Sequence, residues 1–349
     1  MAKILTRAET PFIKYAERLC ERMETKGGER KVDLWINREA LPYLGKRDIR
    51  AIEQTVSINH EVADNVRAQW LPLEPAKAWF EGSWIKGHMF DATQPITIHT
   101  GDGDVPFNMK ADSSGMFHRY QDAGMPQGGD ALYEAVNEFV KTWDLNRALA
   151  RSNRAETVVT TKYPLAWGQI WPDFPFIDRF GVEKPLGFIA LSSWNWTVRR
   201  GCPSTSKIVA SLEALHNNGF VKHSMHMGNL SSLNRFVVVH DMGYVMDYRD
   251  NMTFPQILAH QAMDLLYAID KWLEYIKQYG LTDAEAAIYA NDMVRQYFKG
   301  LNTGAITNPF MDLFGVVKGA FKAPIVTIDS PIVSLFAEKM SRAGLYGAP

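Results

Sequence analysis

Residues 208–248 read IVASLEALHNNGFVKHSMHMGNLSSLNRFVVVHDMGYVMDY, and this stretch decides the fold that we predict. It begins with apolar residues at helical spacing and reaches a helix end at Asn217-Asn218-Gly219. A polar loop follows, and the apolar strand Phe236–Val239 then delivers His240-Asp241 into a Met-Gly turn. The predicted order is therefore helix, polar loop, strand and acidic turn.

The polar loop and the acidic turn contain two candidate metal ligands, Asn229 and Asp241. They lie twelve residues apart in the chain, and a hairpin between them would bring the two side chains close together. An amide and a carboxylate offer the oxygen ligands that Mg²⁺ prefers, usually with phosphates and water in the same shell. Asp241 follows four apolar strand residues, so its charge must be paired, ligated or exposed at the strand end. The alternative for both residues is an ordinary role in a turn.

At these residues the chain resembles the catalytic core of the protein-kinase-like superfamily, most closely its aminoglycoside and choline phosphotransferase-type branch. Three segments match its "LH..G" helix end, its His-Gly-Asp-Leu-His-x-Gly-Asn loop and its Asp-Phe-Gly turn: Leu215–Val221, Lys222–Leu230 and Val239–Gly243. Ala262–Leu266 resembles the helix that follows, with its buried Asp264. The resemblance covers residues 208–272 and implies a two-lobed α+β fold that binds ATP, with Mg²⁺ held at Asn229 and Asp241.

Three positions depart from the pattern of the superfamily. The catalytic aspartate falls on Ser224, whose hydroxyl cannot act as a base at neutral pH without help. The first loop histidine falls on Lys222, and the phenylalanine of the metal turn falls on Met242, an apolar replacement. The second loop histidine is kept as His226, which the resemblance makes an anchor of the loop. The candidate catalytic positions are therefore Ser224 and His226.

The resemblance also implies a lysine for the nucleotide phosphates, held by a carboxylate on a helix. Lys110 is the first candidate, because it ends a predicted strand ahead of a helix that bears Glu134 and Glu138 one turn apart. Lys86 is a rival within Gly82–Gly87, a segment that lacks the Lys-Ser/Thr of a Walker loop. A solvated surface lysine is the simpler interpretation of either residue.

The same stretch also offers residues for two other kinds of site, a zinc site and a serine hydrolase. A zinc site would use His223, His226, His240 and Asp241, but the spacing His-x-x-His is not that of a zinc protease helix, and no cysteine or glutamate completes the set. A serine hydrolase would use Ser224, but no Gly-x-Ser-x-Gly elbow is present in the sequence. Both remain weaker than the magnesium interpretation.

Composition excludes several classes of protein. The 349 residues carry 38 Lys and Arg against 39 Asp and Glu, and a net charge of -1 provides no field to gather nucleic acid or an anionic membrane. The longest apolar runs fall short of the roughly 18–20 residues that a bilayer span needs, and no signal peptide is recognisable. The two cysteines, Cys20 and Cys202, form no CxxC motif and no disulfide framework. We expect a cytoplasmic protein.

Apolar periodicity and turn residues divide the whole chain into four segments. Residues 1–75 are predicted as an N-terminal helical extension, with one helix from Thr10 to Gly27 and another from about Gly45 to Trp70. Residues 76–196 are predicted as a smaller mixed β lobe with one long helix. Residues 197–300 form the helical lobe, and residues 301–349 form a tail with a last helix near Pro331–Arg342.

Within these segments the sequence predicts further elements. Runs at Pro95–Thr100 and Val105–Lys110 indicate a β-hairpin, and the helix with Glu134 and Glu138 extends from Asp130 to about Arg151. The remaining strand candidates of the smaller lobe are Glu156–Thr161 and Pro185–Leu191, the second of which leads into the expected adenine-binding hinge. Helices are predicted at Ser204–Asn218, Pro255–Tyr279 and Thr282–Lys299.

The expected function is that of a kinase-like protein without the usual catalytic aspartate. Such a pseudokinase acts by binding a protein partner, with ATP and Mg²⁺ as ligands. An active ATP-dependent transferase of phosphoryl or nucleotidyl groups is the first alternative, because positioning and metal electrostatics dominate phosphoryl transfer. The second alternative is a structural assembly component that reuses the fold. No nucleic acid and no membrane are expected as partners.

Overall fold

The computed structural model describes residues 9–24, 33–43, 96–100, 103–110, 130–152, 157–170, 176–177, 183–184, 186–192, 203–233, 235–247, 252–303, 326 and 328–343. These residues form a mixed α+β structure, as predicted. The chain divides into two compact units, Met1–Trp143 with Lys162–Asn195, and Asp144–Thr161 with Trp196–Pro349. The predicted helix from Gly45 to Trp70 and the rival Lys86 lie outside the described residues.

The first unit contains a seven-stranded antiparallel sheet. Its strands are β1 Cys20–Glu24, β2 Asp33–Asn37, β3 Ile96–Thr100, β4 Gly103–Lys110, β5 Asp130–Ala131, β7 Pro164–Ile170 and β10 Leu186–Ser192. The order is β1-β2-β7-β10-β4-β3, and β5 pairs with β10. The remaining strands of this unit, β8 Phe176–Ile177 and β9 Glu183–Lys184, form a separate antiparallel pair. The predicted hairpin is confirmed, because β3 pairs with β4 in antiparallel register.

Two helices contribute to the core of the first unit. They are α1 Glu9–Leu19 and α2 Leu132–Ser152, which was predicted from Asp130 to about Arg151. Buried Ile13 and Ala16 of α1 share one apolar cluster with Val136 and Phe139 of α2 and with Trp167 of β7. The helices therefore cover one face of the sheet with apolar side chains at helical spacing.

The N-terminal segment differs from the predicted helical extension. Helix α1 ends at Leu19, and Cys20–Glu24 forms β1, which pairs with β2 of the same sheet. Strand β2 in turn pairs with β7, where the rings of Trp35 and Trp167 stack 4.2 Å apart. The residues of β1 have helical spacing in the sequence but form a strand, because β2 provides a neighbouring strand for backbone pairing.

The second unit contains a three-stranded sheet with mixed pairing. Strand β11 Leu230–Leu233 is antiparallel to β12 Phe236–Val239, which confirms the predicted hairpin. Strand β6 Val158–Thr161 lies parallel to β12, with Val158 beside Phe236. The placement of this strand in the sheet of the smaller lobe was therefore wrong. Pairing of β6 with a strand nearly eighty residues later explains the error, because local pattern cannot show it.

Besides the end of α2, the described residues of the second unit include four helices at the positions that the sequence predicts. They are α3 Thr205–Asn217, α4 Phe254–Lys277, α5 Asp283–Tyr297 and α6 Pro331–Arg342. Capping boxes begin α4 at Thr253 and α5 at Thr282, so the unpaired N–H groups of both first turns are satisfied. Helix α3 ends before Gly219, whose φ of 78° is the left-handed conformation that glycine tolerates.

Helix α6, predicted as the end of a separate tail, belongs to the core of the second unit. Phe336 of α6 is buried and lies in edge-to-face contact with His216 of α3. Lys339 of α6 donates a hydrogen bond of 2.5 Å to Glu213 and another to the backbone oxygen of Tyr297. These contacts tie the last helix to α3 and α5. Among the helices that the structure describes, none has both the length and the apolar character needed to cross a membrane.

Candidate functional site

The hairpin β11–β12 brings Asn229 and Asp241 together, as the sequence predicts. Leu230 lies opposite Val239, and the N–H of His240 donates to the carbonyl oxygen of Asn229 at 2.8 Å, which extends the ladder by one more step. The side-chain Nδ2 of Asn229 then lies 3.4 Å from Oδ2 of Asp241. The two side chains at the open end of the hairpin are thus direct neighbours.

Ser224 belongs to the same cluster of side chains. Asn229 Nδ2 also donates to the backbone oxygen of Ser224 at 3.0 Å, so one buried amide holds both the loop and the carboxylate. Ser224 and Asp241 are each partly exposed. Asn229, by contrast, is buried.

Two non-glycine residues of the described chain have positive φ, and both lie in this region. His223 has a φ of 56°, and Asp241 has φ 60° and ψ 74°. The left-handed conformation costs a residue with a side chain roughly 1 kcal/mol, and aspartate is among the residues that adopt it most readily. Strained backbone on either side of one cluster is typical of a functional site, where the surrounding contacts determine the conformation.

Lys222 is the residue of this cluster that sequence reasoning missed. Its side chain is fully buried, and its Nζ donates to Ser224 Oγ at 3.0 Å and to the backbone oxygen of Asp241. The sequence did contain a signal, because Lys222 directly follows Phe220-Val221, an apolar pair that precedes the loop. A lysine at a buried position must have polar partners. Here those partners are the two residues at the centre of the candidate site.

His226 caps a short turn at Met227–Asn229. Its Nδ1 accepts a hydrogen bond of 3.1 Å from the N–H of Gly228. A Cβ on Gly228 would lie 2.9 Å from Cε1 of the His226 ring, so this position has room only for glycine unless the ring moves. This contact fits the anchoring role that the resemblance implies for His226. A catalytic role of His226 stays a prediction.

A fully buried polar network lies beneath the loop. His216 contacts Tyr297 OH through Nδ1 at 2.6 Å and Asp264 Oδ2 through Nε2 at 3.2 Å. The same carboxylate oxygen accepts the N–H of Lys222 at 2.8 Å, which attaches the start of the loop to helix α4. Burial alone would raise the pKa of Asp264, but its hydrogen bond to His216, its electrostatic interactions with His216 and His223, and the N–H of Lys222 lower it. The burial that the resemblance implies for Asp264 is confirmed.

The histidines of the loop do not form a zinc site. Nε2 of His240 pairs with Ser231 Oγ at 2.6 Å, and His226 caps its own turn. His223 lies edge-to-face against His260 with ring centres 4.9 Å apart, and burial lowers the pKa of both imidazoles. Within the described ranges, no three His, Cys, Asp or Glu side chains are arranged to hold a metal ion.

Asn229 and Asp241 do fit a magnesium ion that shares its shell with phosphates. Mg²⁺ is usually bound through one or two carboxylates, with water and substrate phosphates in the remaining positions. Asp241 supplies a partly exposed carboxylate, and Asn229 holds it from the buried side. Because Nδ2 of Asn229 faces the carboxylate, Asp241 is the stronger of the two candidate ligands.

The nucleotide candidates lie in the other unit. Lys110 is the last residue of β4, in register with Ile189 of β10, and its side chain lies outside the described part. Glu138 on α2 is buried, whereas the side chain of Glu134 is outside the described part. The expected hinge strand is present as β10, and the Trp194 segment after it is outside the described residues. The structure thus brings Ser224, Asn229 and Asp241 together, and it places Lys110, Glu134 and Glu138 in the first unit.

The geometry defines a class of site in which the hairpin β11–β12 brings a polar loop and an acidic turn together. Its chemical groups are a partly exposed carboxylate, a buried amide, a serine hydroxyl and a buried lysine. A comparison with known proteins finds neither a family model nor a curated protein that matches this chain.

Proposed function

We infer that the chain is a kinase-like protein that binds ATP with Mg²⁺ and acts through a protein partner, not through efficient phosphoryl transfer. The observation that carries this proposal is the 3.4 Å contact between Asn229 and Asp241, with Ser224 bound to the same amide. The hydroxyl of Ser224 occupies the loop position where the superfamily has its catalytic carboxylate. A cation-binding turn without a base is what a pseudokinase would retain.

The architecture of each unit supports a two-lobed kinase-like fold. The first unit is an antiparallel sheet packed by a long helix, and the second is mainly helical with a hairpin in its loop region. The resemblance implies this division between a smaller β lobe and a helical lobe. The N-terminal strands β1 and β2 and the parallel pairing of β6 are additions that this chain makes to the expected pattern.

Each residue of the site has a defined task in this proposal. The carboxylate of Asp241 and the amide of Asn229 would hold Mg²⁺, which neutralises charge on the nucleotide phosphates when it is bound. By the resemblance, Lys110 would bind the nucleotide phosphates, and Glu134 or Glu138 would hold that lysine. Ser224 cannot accept a proton from an acceptor hydroxyl as a carboxylate does, so transfer would depend on positioning alone.

Nucleotide-dependent thermal stabilisation tests the proposal. We expect Mg²⁺ and ATP to raise the unfolding midpoint by several degrees, because a ligand at 100 times its Kd stabilises by about 2.7 kcal/mol. Asp241→Ala should abolish the shift. Asp292→Ala is the matched control, because Asp292 is an exposed aspartate on helix α5 outside the loop and the turn.

The outcomes separate the three functional classes. No stabilisation of the wild-type protein at saturating ATP would overturn the proposal and favour the structural assembly component. Stabilisation together with transfer of label from the γ- or α-phosphate to an acceptor would show an active transferase, and the position of the label would identify the group transferred. Stabilisation without transfer is the result that the proposal predicts.

A further inference from the structure

His223 occupies a strained position in the loop of the candidate site. Its φ of 56° is left-handed, a conformation that glycine adopts without strain and that a side chain makes unfavourable. In the loop motif that Lys222–Leu230 resembles, the same position is a glycine. The chain therefore carries an imidazole where the backbone favours glycine, so the contacts of the ring must offset the strain.

The ring of His223 packs against a second histidine, His260 of helix α4. The ring centres lie 4.9 Å apart and the ring planes meet at 76°, which is an edge-to-face contact. Nε2 of His223 and Nδ1 of His260 are both buried, and neither atom has a hydrogen-bond partner among the described residues. A buried nitrogen without an acceptor is a poor place for an added proton, so the contact suits two neutral imidazoles.

Protonation would weaken this contact, because it would place positive charge on two rings that face each other. Burial lowers the pKa of both imidazoles, so each is neutral at pH 7. The charged and titratable groups around His223 come from both helices and from the loop: Asp264 and His260 of α4, His216 of α3, and Lys222. Asp264 favours the charged form of His223, whereas burial and the other three groups oppose it.

The ring pair helps to attach the loop to helix α4. A second contact lies beside it, because the N–H of Lys222 donates to Oδ2 of Asp264 at 2.8 Å. His260 and Asp264 are four residues apart, so they lie on the same face of α4. The loop is therefore attached to one face of this helix by a ring contact and by a backbone hydrogen bond.

The attachment continues from His223 into the candidate site. Ser224 is the next residue, and its backbone oxygen accepts the Nδ2 hydrogen bond of Asn229 at 3.0 Å. The same Nδ2 lies 3.4 Å from Oδ2 of Asp241. A movement of His223 away from α4 would therefore displace the groups that position Asn229 beside Asp241.

We propose that His223 and His260 form a pH-sensitive latch, which holds the loop in its binding conformation while both rings are neutral and releases it when acid protonates them. The inference rests on the proposed function, because the ligand affected is ATP with Mg²⁺ at the same site. With the latch closed, Mg²⁺ is held at Asp241 as in the proposed function. With the latch open, Asn229 no longer positions Asp241, so nucleotide binding weakens as the pH falls.

Hydrogen exchange of the full chain without nucleotide tests the latch itself. Lys222, His226 and Asn229 have loop amides with defined acceptors, and a peptide covering residues 221–229 reports on them. In the wild-type protein, we expect exchange corrected for its intrinsic rate to become at least about fivefold faster between about pH 7.5 and pH 5.5. In His223→Gly the change should be less than about twofold, because glycine suits the left-handed backbone and has no ring to titrate.

Helix α5 serves as the internal reference for this experiment. It belongs to the same unit, and its amides should not follow the pH response of the loop if the latch opens locally. Equal acceleration of α5 and the loop would show a loss of global stability and would overturn the inference. An equal pH response of the loop in the wild type and in His223→Gly would also overturn it.

The second test measures the Kd for ATP in excess Mg²⁺ at the same two pH values. The ratio of the acid Kd to the neutral Kd should be at least about fivefold larger in the wild type than in His223→Gly. Protonation of ATP itself affects both proteins alike, so it cancels in this comparison. His260→Phe keeps a ring against His223 and removes one titrating group, so its ratio should lie between the two.

His99→Gln provides a matched control. His99 lies on β3 of the first unit, and its replacement removes a histidine elsewhere in the chain, so the wild-type ratio should be retained. If His223→Gly does not fold, His260→Phe decides, and a wild-type ratio in that variant overturns the inference. The same ratio in all four proteins overturns the inference and leaves the proposed function intact. If the wild-type protein binds no ATP at neutral pH, the proposed function fails and the exchange experiment alone decides the latch.

Discussion

Two polar clusters of the second unit meet at Lys222 and differ in structure. The cluster of His216, Asp264 and Tyr297 is fully buried and joins three helices. The cluster of Ser224 and Asp241 is partly exposed, and Asp241 has left-handed backbone. Complete burial is typical of a scaffold that positions the loop. Partial exposure and left-handed backbone are typical of a site that binds a ligand.

The difference shows how stability and function are divided in this unit. Lys222 belongs to both clusters, because its N–H binds Asp264 while its side chain binds Ser224 and Asp241. The backbone of one residue is therefore part of the scaffold, and its side chain is part of the site. Substitutions in the buried cluster should affect folding, whereas substitutions in the exposed cluster should affect ligands.

The largest effect is expected for Asp264→Ala. It removes the acceptor for His216 Nε2 and for the N–H of Lys222, and a buried group that loses its charged partner costs about 3–5 kcal/mol. Urea unfolding followed by circular dichroism measures this loss. Asp264→Asn keeps one side-chain oxygen as an acceptor and should cost less. Equal stability of Asp264→Ala and the wild type would show that the buried cluster is not a scaffold.

A pH-dependent loss of stability is expected from His223 and His260, whose rings lie edge-to-face. Burial lowers the pKa of His223, with Asp264 opposing this effect and His260, His216 and Lys222 adding to it, and burial also lowers the pKa of His260. The folded protein thus keeps both rings neutral below the pKa of 6.5 that they have when unfolded. Their contribution is complete above about pH 6.5 and is lost as the pH falls towards the folded pKa values.

The measurement for this prediction is the urea midpoint above and below pH 6.5. His260→Phe retains an aromatic ring against His223 and removes one titrating group, so the decrease in stability at acid pH should be smaller than in the wild type. Asp264 and Lys222 remain in place in this variant, which keeps the other charges around His223 constant. An unchanged pH dependence would contradict the assignment.

The smallest effect is expected for Gly228→Ala in the turn of the exposed cluster. The new Cβ would lie 2.9 Å from His226 Cε1, and the partly exposed ring can move aside, so the cost should be about 1 kcal/mol. His226→Ala combined with Gly228→Ala should recover much of this loss in a double-mutant cycle. Additive losses in the double variant would show that the ring does not cause the strain.

Local elements were largely predictable because their signals are local. Helices α3 to α6 have apolar residues at helical spacing and recognisable ends, such as the capping box at Thr282 and the glycine at Gly219. The hairpin β11–β12 was predictable because two short strand-like runs flank a turn, and its closure placed Asn229 beside Asp241. The magnesium role of these two residues stays a prediction.

Long-range pairing was not predictable in the same way. The residues of β1 have the pattern of a helix end, and their pairing with β2 makes them part of a sheet. Strand β6 was assigned to the wrong sheet, since its partner β12 lies far along the chain. The sequence of each strand alone does not show which strand it pairs with.

The succession of helix, polar loop, hairpin and acidic turn can be read from local sequence, because periodicity, caps and turn residues act over a few neighbours. The surroundings of the site depend on tertiary packing. It buried Lys222 against Ser224 and Asp241, and it attached the loop to Asp264 of a helix forty residues later. Burial and charge depend on which distant segments pack together, so these contacts had to be seen in three dimensions.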